Sequence, residues 1–152
     1  MAKYLTKKKI ILTLLSILIV IQFIRIDKAT KPFDANTDLI ALIKPDAEIV
    51  SILKVSCYDC HSNQPTYPWY TNIAPVSWWI KHHINEGSHH LNFSEWGNYS
   101  QKRKDHKLDE CIEMVEEDEM PMSSYTLMHK DAKLSSAQKT LLLNWFKGLK
   151  GQ

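Results

Sequence analysis

Residues 57–61 read CYDCH, two cysteines separated by two residues and followed at once by a histidine. Three chemistries use a stretch of this kind. A CxxC is a redox dithiol, half of a zinc site or, with the histidine attached, the covalent anchor of a c-type haem. Each makes a different demand on the flanking chain.

A redox dithiol wants its CxxC at a helix N-terminus inside a βαβ pattern, where the helix dipole lowers the thiol pKa. Here Ile49, Ile52 and Leu53 recur at helical spacing after Pro45 and Asp46, so a helix leads into Cys57 and no βαβ pattern follows. Structural zinc needs four ligands, usually with a second Cys or His pair at short spacing. His82 with His83 and His89 with His90 are adjacent pairs, poorly placed to hold one ion together. Haem attachment uses all three residue types: the thiols add across the two vinyl groups on one porphyrin edge, and the next imidazole lies over one face. Cys57 and Cys60 are therefore expected as thioether links of one covalent haem c, with His61 as proximal iron ligand.

An electron-carrying haem iron wants a second axial donor, and Met or His is usual. Residues 119–122 read EMPM. Met120 stands before Pro121, which ends a helix and fixes an extended turn, so its thioether is the expected distal ligand. Met122 is the alternative, followed by one of the other histidines or an open position. Met114 and Met128 read as core filler, and Cys111, beside Leu108 and Ile112, as a buried inert thiol. A proline carbonyl, from Pro68 or Pro75, is the expected acceptor for the free His61 N–H. Trp69, Trp78, Trp79 and Trp145 are the expected walls of the pocket.

The N-terminus carries a different signal. Lys3, Lys7, Lys8 and Lys9 precede an apolar run, Ile10 to Ile24, broken only by Thr13, Ser16 and Gln22. The stretch after it, QFIRID, offers no small-residue cleavage site, so residues 1–26 read as an uncleaved signal anchor, a single-pass transmembrane helix. The lysines put the N-terminus in the cytoplasm and the remainder in the periplasm, at the inner membrane. Beyond residue 25, 14 Lys plus Arg face 17 Asp plus Glu, a net −3, so no basic stripe for nucleic acid is present. Three cysteines are too few for a disulfide scaffold.

Residues 27–44 read as a tether and 45–150 as one domain. Helical spacing predicts an all-α fold: a helix from Pro75 to about Glu86 with Gly87 as its stop, a loop over 88–101, a helix over about 102–119, and a last helix capped by Ser135 and Gln138 with Leu141, Leu142, Trp145, Phe146 and Leu149 on its apolar stripe. Asp109, Glu110, Glu113, Glu116, Glu117, Asp118 and Glu119 make an acidic face at 109–119, a candidate dock for a basic redox protein.

In order along the chain, CYDCHSNQPTYPWYTNIAPVSWWI, HLNFSEW, EMPMSSYTLMHKDAKLS and the NWF of the C-terminal helix resemble the bacterial haem-binding domain family, over roughly residues 40–148. The resemblance implies a cytochrome c-like fold, one covalent haem on Cys57 and Cys60, His61 as proximal ligand and the Met of the MPP-like turn as distal ligand. Here that turn reads MPM, with Met122 in place of its second proline. The expected function is a membrane-anchored monohaem electron carrier, not an enzyme. The alternative is a haem-based catalyst or gas sensor with a displaceable sixth ligand.

Overall fold

A computed structural model of the chain describes residues 6–151. Its regular structure is all helical, with no strand among the described residues. In order come α1 (Lys7–Ile21), α2 (Leu39–Ile43), α3 (Ala47–Ser56), α4 (Tyr58–His61), α5 (Val76–His90), α6 (Gln101–Glu116), α7 (Ser123–Met128) and α8 (Ser136–Leu149). Short 3₁₀ turns occupy Trp69–Asn72, Phe93–Asn98 and Lys130–Ala132. The described residues fold as two compact units, one from residues 6–29 with Thr66–His83, the other from Thr30–Pro65 with residues 84–151.

In the first unit α1 is followed by a segment stitched to residues 71–78. The Gln22 side-chain amide donates to Ala74 O at 2.9 Å and accepts from Ala74 N at 3.0 Å. Arg25 donates to Asn72 O, Lys28 to the Thr71 hydroxyl and the Asn72 side chain, and the Trp78 indole to Ile24 O. The helix runs for 15 residues, about 22 Å of rise against about 30 Å of bilayer hydrocarbon. No helix among the described residues is long and apolar enough to cross a membrane, so the transmembrane helix expected over residues 1–26 is not supported. Lys3 lies outside the described residues.

The second unit holds the large core. Leu108 and Val115 of α6 meet Leu142, Phe146 and Leu149 of α8 in one buried cluster with Ile49, Ile52 and Leu53 of α3 and with Leu91, Phe93 and Trp96. Spacing of i, i+4 and i+7 on α8 gives the stripe that faces this core, and the Ser135–Gln138 capping box starts the helix. Three ion pairs run between the α6 segment and α8: Lys139–Asp118, Lys147–Glu116 and Lys150–Asp109. All are partly exposed and add at most about 1 kcal/mol each.

Part of the stretch that reads as a tether is core. Leu39 is fully buried, and Asp38, also buried, caps α2 by accepting from Ala41 N. Thr37 O accepts from Gly97 N at 2.8 Å, and a side chain at Gly97 would meet Asn36 O and Thr37 Cα at 2.9 Å. A glycine is needed there for the two segments to approach. The contiguous apolar run LIALI has neither helical nor strand period, which hides its burial in the sequence.

Leu39→Ala should lower the unfolding free energy of the haem-loaded protein by about 2–5 kcal/mol in a denaturant titration. An unchanged midpoint would return residues 27–44 to the role of a tether.

Candidate functional site

Helix α3 delivers its last residue, Ser56, directly to Cys57, whose φ of −127° breaks the helical path before α4 begins. Cys57 O then accepts from Cys60 N at 3.2 Å and from His61 N at 2.9 Å, closing CYDCH into a single turn. Residues three apart on a turn are neighbours, so the two cysteines share one side of it and His61 follows directly. Tyr58 anchors the turn from beneath, stacked on Phe93 with ring centroids 5.5 Å apart and its hydroxyl 3.3 Å from Asp38 Oδ2.

The hydrogen-bond partners of the His61 ring are backbone carbonyls. Its Nδ1 lies 3.0 Å from Gly87 O and 3.1 Å from Leu91 O. Both partners are acceptors, so Nδ1 carries the proton and Nε2 keeps its lone pair. Burial pushes the His61 pKa down, against the opposing pull of the Leu91 and Gly87 carbonyls, and His90 lowers it further. The neutral imidazole, the form that ligates a metal, is thereby favoured. These carbonyls, at the C-terminal end of α5, replace the proline carbonyls expected from the sequence.

Gly87 has a second role. Instead of stopping α5, which continues to His90, it lets the helix lie against α4: a Cβ there would sit 2.8 Å from Cys60 O and 3.1 Å from Cys60 Cβ. Past α4, a polar lattice holds the same surfaces together. Asn63 N donates to the Ser94 hydroxyl, Asn92 Nδ2 to Asn63 Oδ1, and Asn63 Nδ2 to Glu95.

The donor set fits a covalently held haem better than the other chemistries of CxxC. Both thiols are free, Cys57 pushed up to about 12 by burial and then by Cys60, Cys60 to about 11 by burial and then by Asp59. A redox dithiol requires the opposite shift. Among the described residues no three His, Cys, Asp or Glu side chains gather where they could hold a metal ion, so the zinc reading finds no ligand set. Cys57 and Cys60, as protonated thiols, would hold a haem through its two vinyl groups, and the neutral His61 imidazole would offer Nε2 to its iron.

Met120 occupies the turn between α6 and α7, its N–H donating to Met114 O at 3.0 Å. Its side chain packs on the cluster that also takes Cys57, Tyr58 and Cys111, whereas Met122 stands at the N-cap of α7. The helix that follows is tied to CYDCH: the Tyr125 hydroxyl lies 2.8 Å from Asp59 Oδ2 and 3.1 Å from Val55 O. Cys111 is partly buried, and burial pushes its thiol up.

Other expectations shift. Trp69, Trp78 and Trp79 belong to the first unit, and the fully packed indole beside Phe93 is Trp96. Trp145 packs on the core of the second. The acidic run is mostly paired, since Asp109, Glu116 and Asp118 hold α8 lysines and Glu110 faces Lys107 and His106. Only Glu113, Glu117 and Glu119 lack an ion pair among the described residues. Sequence reasoning missed Gly87, Leu91, Phe93 and Tyr125 as supports of the site. The HLNFSEW stretch, with buried aromatics between small polar residues, was the available signal for two of them.

Replacing a mid-helix glycine by alanine ordinarily stabilises by about 0.5–1 kcal/mol. Gly87→Ala should instead destabilise by about 1–3 kcal/mol in denaturant unfolding of the haem-loaded protein, because the methyl meets backbone. A gain in stability would contradict the close approach of α5 and α4.

Residues 16–148 match the family model described as a haem-binding domain. No curated protein and no solved structure matches the chain. With CYDCH, its imidazole support and the MPM turn all inside the matched region, the chain belongs to the haem-binding domain family.

Proposed function

We propose that this chain holds one haem covalently through Cys57 and Cys60, with His61 Nε2 as proximal and Met120 as distal iron ligand, and that it carries electrons. The observation that carries this reading is the His61 ring, fixed as the Nδ1–H tautomer by Gly87 O and Leu91 O. When bound, haem supplies a one-electron couple between ferric and ferrous iron.

The chain's residues tune and protect that couple. Carbonyls at the end of α5 draw on the Nδ1 proton and make Nε2 a stronger donor, and the negative end of the helix dipole acts in the same direction. Phe93, edge-on to His61 at 6.2 Å between ring centroids, restrains the ring and keeps water from it. Met120 would serve as the second ligand because its side chain packs against the same apolar cluster as Cys57, and a thioether there would raise the potential. Met122, at the cap of α7, has less support.

For localisation, the support for this reading is the surface of α1. Its side chains are exposed and almost wholly apolar from Ile10 to Val20, which favours a lipid environment. On this reading α1 anchors the chain to the inner membrane, with the haem domain on the periplasmic side. Glu113, Glu117 and Glu119 are the charges left to steer a basic redox partner.

Exported protein should keep its haem through acid–acetone extraction, and its ferrous form should refuse carbon monoxide, while Met120→Ala keeps the haem but binds the gas. Extractable haem would overturn covalent attachment. Ready binding of carbon monoxide by the unaltered protein would favour the catalyst or sensor.

A further inference from the structure

The unit built from residues 6–29 with Thr66–His83 exposes large apolar side chains beyond α1 itself. Phe23 is 82% exposed and Trp69 71%, with Trp79, Ile24, Ile73 and Val76 also open. They are not loose. Phe23 and Ile24 lie between Gln22 and Arg25, which bind Ala74 and Asn72, and the Trp78 indole is fixed on Ile24 O. The exposed rings are therefore held at the end of the apolar helix.

Charge separates the same way. Among the described residues this unit has six Lys and Arg against one acid, Asp27, a net +5, while the other unit has twelve against sixteen, a net −4. Arg25, Lys28 and Lys81 bind only neutral groups: Asn72 O, the Thr71 hydroxyl and Asn72 side chain, and the Tyr67 hydroxyl, respectively. Both lysines also lie over the Tyr67 ring. No cation of the unit is ion-paired among the described residues, so the positive charge is open to an anionic partner.

We propose that this unit is a bilayer-interface platform: Phe23, Trp69, Ile73, Val76 and Trp79 enter the boundary between headgroups and acyl chains, and Arg25, Lys28 and Lys81 meet anionic lipid headgroups. Tryptophan favours that boundary because its ring is apolar and its N–H polar, and basic residues beside it gain from anionic lipid. The proposal rests on the reading of α1 as a membrane anchor, and it adds a second contact that α1 alone does not provide.

The test uses the full haem-loaded chain in phosphatidylcholine vesicles, with and without phosphatidylglycerol, containing a lipid with a diazirine next to its headgroup. After illumination, labelled peptides are mapped by mass spectrometry. Label is expected on α1 and on the peptide spanning residues 68–79, the latter rising at least about threefold with the anionic lipid. Label on α1 without label on 68–79 would overturn the platform and leave the anchor standing. A chain unlabelled on α1 would overturn both, and label on 68–79 indifferent to anionic lipid would overturn the role of the cations.

Discussion

The site depends on the close approach of α5 to the CYDCH turn. Gly87 has no side chain, so the helix comes within van der Waals reach of Cys60, and only at that distance can Gly87 O and Leu91 O accept from His61 Nδ1. One missing methyl group thus links packing to chemistry: it permits the approach, the approach fixes the tautomer, and the tautomer frees Nε2. Burial works with it by keeping the imidazole neutral.

Around that contact the second unit is arranged in tiers. Phe93 touches both Tyr58 and His61, and Trp96 backs Phe93, so the HLNFSEW stretch supplies the apolar floor under the CYDCH turn. The paired helices α6 and α8 close the core and carry the chain to the Met120 turn. Tyr125 then ties the far side of that turn to Asp59, within CYDCH itself. Two segments about sixty residues apart in sequence are in this way parts of one packed body.

Much of this is legible in the sequence. Periodic helices are, because α3, α6 and α8 each bury a stripe with helical spacing, and the Ser135–Gln138 box marks its helix start. The CxxCH motif is, because three residue types at fixed spacing admit few chemistries. Residues 36–43 are not, since an unbroken apolar run has no period and Asp38 looks like tether. Gly87 misled because a glycine that ends a helix and one that admits a neighbour are the same letter. The acceptors of His61 are backbone carbonyls, which no residue type advertises, and the packing of Trp96 beside Phe93 was missed because size alone does not say which surface a ring meets.

The most direct test of the central claim is the protonation pattern of the His61 ring, read from long-range proton–nitrogen correlations on ¹⁵N-labelled ferrous protein. The account predicts a slowly exchanging proton on Nδ1 and none on Nε2. A proton on Nε2, with Nδ1 bare, would contradict it.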